Sequence, residues 1–226
     1  MADRRRWDVV LFDLDGTLID PFEGIADGVR KAFAAVDQPA PEDATIRGWI
    51  GPPIGDTLEA QLGHLGAGAV ATALAAFRAA YDNGGAQSAA LHAGMRDLII
   101  ALDDDGAFLA VVTMKPRHVT DVILDQLGLR SHLDGVFAPP TDHATGNKAD
   151  LIAEALAVAG ARGLSADGGV VVGDRADDMR AARENGLAAV GVAWGFGSAA
   201  EMLRERPLQV ATSPPQLAAL LLEGKV

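Results

Sequence analysis

Two aspartates with a spacing suited to chemistry follow a short apolar run near the start of the chain. Asp13 and Asp15 come directly after Val9–Phe12, and Gly16 and Thr17 follow them. Because alternate side chains of an extended segment point the same way, both carboxylates share one face at the end of a strand. Like charges so placed coexist when a cation or a proton compensates them. The spacing therefore predicts a reactive site at this strand end.

Polar residues also follow three other apolar runs of the sequence. Thr113 ends the second run, Lys148 lies in the loop after the third, and Asp174 and Asp178 follow the fourth. Ligands of an open α/β sheet bind beyond the carboxyl ends of its strands, so we expect these groups to converge. Taken singly, each also has a simpler interpretation as a strand-end hydroxyl, a solvated lysine or a capping aspartate.

The composition limits the metal that such a cluster would hold. The chain has no cysteine, which excludes thiolate ligands and disulfides. No two of its five histidines stand four residues apart, the spacing of a helical metal site. Oxygen ligands remain, and they favour a hard cation, so the sequence predicts Mg²⁺.

The elements that must position these residues follow an α/β pattern. Short valine-rich runs at 9–12, 108–113, 135–138, 169–172 and 188–193 predict buried strands. Helical patterns at 95–102, 117–127, 149–158 and 177–184 lie mostly between them. The fold class predicted is a doubly wound parallel sheet, with one α/β core domain formed by residues 1–19 and 92–226.

A different pattern occupies residues 20–91. Strand-like runs are lacking there, and alanine-rich helical periodicity appears at 25–36 and 69–81. We therefore predict an inserted α-helical cap domain over 20–91. Because it leaves the core just after the two aspartates, it is placed to act as a lid over them.

The bulk composition excludes several classes of protein. A hydrophobic fraction of 49% with 22% charged residues argues against a disordered chain. No apolar run approaches the roughly 18 residues of a membrane helix, so we expect no membrane partner. The apolar stretch after Trp7 has only four residues before Asp13, which is too short for a signal peptide and predicts a cytoplasmic protein. A net charge of −12 repels phosphate backbones, so we do not expect nucleic acid as a partner.

One glycine-rich segment imitates a dinucleotide-binding motif. Gly195 to Ala200 reads GFGSAA after a predicted strand. A dinucleotide site also needs a further strand and an acidic residue about 20 positions later. Only a brief apolar run at 208–211 follows, so we expect this segment to be a loop at the rim of the active site.

The four polar motifs together resemble those of the haloacid dehalogenase-like hydrolases. The first motif of that family, D-x-D-G-T, is similar to residues 13–17, and its strand-end Ser or Thr to Thr113 in VVTMKP. Its helix-opening lysine is similar to Lys148 in GNKADLI, and its acidic motif to 173–178 in VVGDRADDM. The motifs occur in order, so the resemblance spans nearly the whole chain and implies that family's Rossmann-like core with a helical cap.

The resemblance implies a role for each matching residue. Asp13 would be the nucleophile that forms an aspartyl-phosphate, and Asp15 the acid and base that serves the leaving oxygen and then the hydrolytic water. Thr113 and Lys148 would be catalytic residues that bind the phosphoryl oxygens.

The resemblance also implies the magnesium ligands. They would be a carboxylate oxygen of Asp13, the main-chain carbonyl of Asp15 and a carboxylate of Asp174. Asp178, one helical turn after Asp174, would orient the metal or its waters.

Asp15 favours phosphoryl transfer over dehalogenation, because a halide leaves without a proton. The stretch TMKP resembles the T-N-K-P of phosphoglycolate phosphatases, with Met114 as a difference, and GVAWGFGS is similar to a loop of the same group. We therefore expect a phosphatase acting on a small phosphorylated metabolite such as phosphoglycolate. A 5′-nucleotidase-like phosphatase, a sugar-phosphate mutase and a non-catalytic phosphate sensor remain alternatives.

Two lid residues are candidates for substrate binding. Trp49 adjoins the turn at 51–54, which could close over the leaving group, and Arg47 could bind a substrate carboxylate or a second phosphate. A place in the core of the lid is an equal interpretation for Trp49. The sequence leaves the physiological substrate open, and it allows a monomer or a homodimer.

Overall fold

The computed structural model describes residues 7–140 and 147–222. Its strands are β1 (Val9–Phe12), β2 (Ile19–Asp20), β3 (Ala90–Leu91), β4 (Phe108–Val112), β5 (Gly135–Phe137), β6 (Gly169–Gly173), β7 (Ala188–Val192) and β8 (Gln209–Ala211). Its α-helices are α1 (Phe22–Ala34), α2 (Asp43–Trp49), α3 (Ile54–Leu62), α4 (Ala67–Ala80), α5 (Met95–Asp104), α6 (Arg117–Gln126), α7 (Lys148–Ala161), α8 (Ala176–Glu184), α9 (Ala199–Arg204) and α10 (Pro214–Leu222).

Six of the strands form one parallel sheet in the order β5-β4-β1-β6-β7-β8. The chain builds outward from β1 through β4 to β5, and then returns to β6 on the other side of β1. The strand order therefore reverses between β1 and β6, and such a switch point leaves a crevice at the carboxyl ends of the strands. The predicted doubly wound fold is confirmed.

The central strands are buried on both faces, which explains their unbroken apolar sequence. In β1, Val10 and Phe12 belong to the apolar cluster that includes residues of α5, α6 and α10. Val9 and Leu11 point to the other face, where α7, α8 and α9 contribute to a second cluster. Helices thus cover both faces of the sheet and hold β1 rigidly beneath the two aspartates that follow it.

The helices α1 to α4 lie between β2 and β3, and we call residues 22–88 the helical insert. Its predicted helical segments fall on α1 and α4, which pack against each other. Gly28 of α1 permits this approach, because a Cβ atom there would lie 2.7 Å from the ring of Phe77 on α4. The assignment of this segment as a separate domain remains a prediction.

The insert begins and ends at a small antiparallel sheet that the sequence did not predict. Ile19 pairs with Leu91, and Asp20 pairs with Ala90. Two-residue strands are too short for any hydrophobic alternation to identify them. The chain therefore leaves the core and returns to it at adjacent positions.

Among the described residues, no helix is both long enough and apolar enough to cross a bilayer.

Candidate active site

Five of the side chains singled out from the sequence meet at the carboxyl edge of the sheet. Asp13 follows β1, Thr113 follows β4 and Asp174 follows β6. Lys148 is the first residue of α7, and Asp178 lies in the first turn of α8. All five line one cavity of about 490 Å³, which we call the polar cavity. The cavity lies at the switch point between β1 and β6.

Lys148 joins two carboxylates at the centre of this cavity. Its Nζ donates to Oδ1 of Asp13 and to Oδ1 of Asp178, each at 2.5 Å. Burial lowers the pKa of Lys148, but the two carboxylates outweigh this and raise it above its ordinary value, so the ammonium stays charged. The other oxygen of Asp178 accepts a hydrogen bond from the backbone N–H of Arg175. Asp178 therefore holds Lys148 against Asp13.

Burial dominates the electrostatics of Asp13. It raises the pKa of this carboxyl well above the ordinary value, Lys148 opposes the rise, and the charges of Asp178 and Asp174 add to it. Thr17 donates a long hydrogen bond of 3.4 Å to Oδ2. The protein thus packs more negative charge around Asp13 than Lys148 alone compensates.

A group of three carboxylates is suited to a cation. Asp13, Asp174 and Asp178 each offer one oxygen, and these oxygens lie within 4.8 Å of one another. Oδ1 of Asp174 is buried and has no hydrogen-bond partner among the described residues. Burial, followed by the charge of Asp178, raises the pKa of Asp174 to about 6. A hard divalent cation would satisfy the orphaned oxygen and relieve this repulsion, so the donor set fits Mg²⁺.

The glycine-rich loop that imitates a dinucleotide motif holds Asp174 in place. The backbone N–H groups of Phe196 and Gly197 donate to its Oδ2 at 2.6 and 3.3 Å. A Cβ atom on Gly195 would lie 2.3 Å from that same oxygen, and one on Gly197 would lie 2.0 Å from the Asp174 carbonyl oxygen. The glycines are therefore needed for close approach to a carboxylate rather than to a pyrophosphate.

Asp15 also lines the polar cavity, and a lysine holds its carboxylate. Nζ of Lys115 is 2.8 Å from Oδ2 of Asp15 and donates to the hydroxyl of Tyr81 at 2.9 Å. Burial lowers the pKa of Lys115, but Asp15 and Tyr81 together raise it above its usual value. Burial also raises the pKa of the Tyr81 phenol. A charged lysine thus connects the core aspartate to a neutral tyrosine of the insert.

A second cavity, of about 340 Å³, opens on the other side of Asp15. We call it the apolar cavity, because most of its walls are hydrophobic. Its apolar lining includes Ile25, Trp49, Ile54, Phe77, Tyr81, Met114 and Val119. Asp15, Met114 and Lys115 border both cavities. A substrate whose reacting bond lies at Asp15 would therefore extend into both.

Of the two lid candidates, Trp49 lines a cavity and Arg47 does not. Trp49 lines the apolar cavity and stacks on Phe33 with the ring centroids 6.1 Å apart. The guanidinium of Arg47 lies over the ring of Phe22, 3.9 Å from its centroid, and 4.0 Å from the carboxylate of Asp20. Arg47 is not among the residues lining either cavity.

A further contact between core and insert was not anticipated. Nη1 of Arg175, which precedes α8, donates to the carbonyl oxygen of Ile50 in the insert at 2.7 Å. Gly51 has a φ of +123°, and a Cβ atom there would lie 2.7 Å from the Arg175 side chain. The loop at 50–53 is therefore shaped to lie directly on the motif that supplies Asp174.

Sequence reasoning missed the parts played by Tyr81 and Arg175. Tyr81 is the only tyrosine of the chain, but it occurs in an alanine-rich helical pattern that predicts nothing more than packing. Arg175 stands inside the acidic motif, where charge alternation is unremarkable. Two signals were available for Lys115, namely the scarcity of lysine, with four in the chain, and its place in the TMKP stretch.

Comparison with known proteins supplies an independent finding. Residues 10–192 match the family model described as haloacid dehalogenase-like hydrolase. The chain is 36% identical over 192 residues to the tyrosine-protein kinase PtkA of Mycobacterium tuberculosis, a match that covers 84% of this chain and 64% of that protein. It is 32% identical over 202 residues to a 5′-nucleotidase of Pseudomonas aeruginosa, covering 89% and 90%.

A solved structure shares nearly the whole architecture. The crystal structure of a protein from Clostridium acetobutylicum, described as a predicted phosphatase, superimposes with a TM-score of 0.85 at 27% sequence identity. The superposition covers 96% of this chain and 99% of that one. The insert and the core thus occur together in a solved relative.

Proposed function

Because this chain belongs to the haloacid dehalogenase-like hydrolases, we propose that it is a magnesium-dependent phosphatase that hydrolyses a small phosphomonoester through an aspartyl-phosphate. The observation that carries the proposal is the position of Asp13. Its carboxylate lies in a cavity between the ammonium of Lys148 and the partly orphaned carboxylate of Asp174. A nucleophile, a cation for phosphoryl oxygens and a set of metal ligands are thereby close together.

The first half of the reaction would use Asp13 and Asp15. An oxygen of the Asp13 carboxylate attacks phosphorus, and the bond between phosphorus and the leaving oxygen breaks. Asp15, in its protonated form, donates its proton to that oxygen, so the product leaves as a neutral alcohol. The phosphoryl group remains on Asp13 as an acyl phosphate.

The second half would restore the enzyme. Asp15, now ionised, removes a proton from a water molecule, whose oxygen attacks the phosphorus of the acyl phosphate. The bond between phosphorus and the Asp13 oxygen breaks, and inorganic phosphate is released. Asp15 carries a proton again, as it did at the start of the cycle.

Other residues would compensate charge during both steps. Lys148 and the hydroxyl of Thr113 would bind the phosphoryl oxygens and the charge that develops on them. Asp13, Asp174 and the main-chain carbonyl of Asp15 would hold Mg²⁺, with Asp178 orienting the site. When bound, Mg²⁺ supplies positive charge that offsets the repulsion between the nucleophile and the phosphate.

The test is hydrolysis of p-nitrophenyl phosphate with and without Mg²⁺, with Asp13→Asn as the matched variant. We expect turnover by the wild type with Mg²⁺ and only background hydrolysis by Asp13→Asn, because an amide cannot form the acyl phosphate. Equal rates for the two proteins would refute the mechanism. Binding of phosphate without any turnover would support the sensor alternative instead.

The apolar cavity favours a second candidate for the substrate. A glycolate leaving group has two carbon atoms and a carboxylate, whereas about 340 Å³ of mainly hydrophobic space is within the size range of cavities that bind drug-sized ligands. Aromatic walls formed by Trp49, Phe77 and Tyr81 suit an aromatic ring. A 5′-nucleotidase-like specificity fits these walls better than phosphoglycolate does, and the P. aeruginosa relative carries that name.

A direct comparison of substrates separates the two candidates. We expect a higher kcat/KM with nucleoside 5′-monophosphates than with 2-phosphoglycolate. The reverse order would restore phosphoglycolate as the better candidate. Transfer of the phosphoryl group to a sugar, with no release of inorganic phosphate, would indicate a mutase.

A further inference from the structure

We propose that Tyr81 and Lys115 form a positioning unit through which the helical insert orients Asp15 for proton transfer to the leaving group. The proposal rests on the phosphatase function proposed above. The insert then contributes to the chemical step by orienting Asp15, in addition to any contact that it makes with the substrate.

The contacts connect three separate parts of the chain. Asp15 follows β1, Lys115 belongs to the loop after β4, and Tyr81 follows α4 of the insert. Nζ of Lys115 lies 2.8 Å from the Asp15 carboxylate, 2.9 Å from the Tyr81 hydroxyl and 4.9 Å from the centre of the Tyr81 ring. The lysine thus bridges an acid of the core and a hydroxyl of the insert.

The bridge from Asp15 through Lys115 to Tyr81 is buried, so Lys115 needs a partner for its charge. The Lys115 side chain is 7% exposed, and Tyr81 is 5% exposed. A buried ammonium is expensive without partners, so Lys115 is held where both acceptors are present. Tyr81 is held in turn by Phe77, which stacks on it with the ring centroids 5.4 Å apart. Displacement of the insert would remove one of the two acceptors and free the lysine to move.

The bridge holds Asp15 by one oxygen of its carboxyl group. Lys115 contacts Oδ2, and Oδ1 is buried without a hydrogen-bond donor among the residues that the structure describes. Asp15 borders both the polar and the apolar cavity, so it stands where the phosphorus–oxygen bond of a bound ester would be cleaved. Because the side chain is only 15% exposed, a contact at one oxygen fixes the orientation of the whole carboxyl group, and general acid catalysis depends on that orientation.

The test exploits the dependence of acid catalysis on the leaving group. Nitrophenolate leaves readily without a proton, whereas the alkoxide of benzyl alcohol does not. Tyr81→Phe removes only the hydroxyl and keeps the ring that packs on Phe77. The relevant quantity is kcat/KM, because it reports only the steps up to release of the leaving group and not the hydrolysis of the acyl phosphate. We expect kcat/KM to fall about 10-fold with benzyl phosphate and less than about 2-fold with p-nitrophenyl phosphate, a fraction of the full effect of a general acid.

Two further variants complete the experiment. Lys115→Met should produce the same leaving-group pattern with a larger loss, because it removes the direct contact with Asp15. Thr72→Val removes another hydroxyl from the insert, one that donates to the Gly68 carbonyl of its own helix. It should leave kcat/KM for both esters unchanged.

The outcomes distinguish this proposal from the one on which it rests. Equal losses of kcat/KM with both esters, or no loss with either, in a folded Tyr81→Phe protein would overturn the positioning role and leave the phosphatase function intact. A wild-type protein that hydrolyses neither ester with Mg²⁺ present would overturn both. Should Lys115→Met not fold, the ratio of the two kcat/KM values in Tyr81→Phe still decides the question.

Discussion

The two cavities that meet at Asp15 are built on different principles. The polar cavity is lined mainly by residues of the core, with residues 51–53 and Asp56 of the insert at one side, and its charged groups are held by one another and by backbone N–H groups. The apolar cavity is formed largely by the helical insert, with walls of aromatic and aliphatic side chains. The first has the precise polar geometry that a reaction needs, whereas the second has shape and apolar surface.

Under the proposed function, this difference separates chemistry from selectivity within one site. A phosphoryl group is the same in every phosphomonoester, so rigid strand ends can hold it without change. The leaving group differs between substrates, and an apolar cavity distinguishes leaving groups by the surface they bury. Substitutions in the two cavities should therefore have effects of different size and kind.

The largest effect is expected from Lys148 in the polar cavity. Lys148→Met removes the cation proposed to bind the phosphoryl oxygens, and we expect kcat to fall about 10²- to 10³-fold for every ester, as for the loss of one oxyanion donor. Steady-state kinetics with an aryl and an alkyl phosphate measures this. Lys31→Met is the matched control, since Lys31 forms an exposed ion pair with Asp27 on α1. A loss confined to one ester would contradict the proposed division between the cavities.

The second prediction concerns the stability of the protein, which the buried carboxylate of Asp174 should lower in the absence of metal. Its pKa is raised to about 6, mainly by burial and then by Asp178. A carboxyl group whose pKa is higher in the folded protein than in the unfolded chain stabilises the fold at pH values below the unfolded pKa, which is near 4. This stabilisation is lost as the pH rises through the folded pKa of about 6. At pH 7.5 without metal we therefore expect Asp174→Asn to be more stable than the wild type, by about 2 kcal/mol.

Thermal unfolding with EDTA at pH 5 and at pH 7.5 tests this expectation. The advantage of Asp174→Asn should shrink at the lower pH, and Mg²⁺ should stabilise the wild type more than the variant. A variant that is less stable than the wild type at pH 7.5 without metal would show that the hydrogen bonds from Phe196 and Gly197 outweigh the repulsion.

Trp49 tests the apolar cavity. Trp49→Ala removes an aromatic wall, and we expect kcat/KM to fall about 10-fold for benzyl phosphate but to change little for ethyl phosphate, which does not reach that wall. The ratio of the two values is the relevant measurement, because it cancels any general damage to the insert. An unchanged ratio would place Trp49 in the packing of the insert, where it already stacks on Phe33.

The smallest effect is expected from Arg47. Its guanidinium lies over Phe22 and outside the lining of both cavities, so Arg47→Ala should change KM less than about 2-fold. A panel of esters with and without a carboxylate provides the test. A rise in KM for the carboxylate-bearing esters alone would give Arg47 the substrate-binding role suggested by the sequence.

The polar cavity was more accessible to sequence reasoning than the apolar one. Asp13, Thr113 and Asp174 follow valine-rich strands, and the topology of a parallel sheet brings strand ends together. Their polar types at those positions were therefore sufficient to predict the cluster. The roles assigned to these residues remain predictions until they are measured.

The remaining contacts depend on tertiary approach, which leaves no periodic signal. Tyr81 and Lys115 are 34 positions apart, and Arg175 and Ile50 are 125 apart. Each pair joins the insert to the core. The partners can be identified only when the position of the insert on the core is known. The sequence predicts that the loop at 195–197 lies at the rim of the site. It does not predict the hydrogen bonds of this loop to Asp174, because they depend on which backbone N–H groups face that carboxylate.

The small pairing of Ile19–Asp20 with Ala90–Leu91 has a consequence for how such proteins diversify. Paired strands lie about 5 Å apart, so the two segments that connect the core to the insert run side by side in one narrow junction. Any segment whose ends are equally close could be grafted there without altering the register of the core. A chimera with the corresponding segment of a relative should keep its reaction and exchange its substrate range, provided that the graft supplies a hydroxyl for Lys115 and a carbonyl for Arg175.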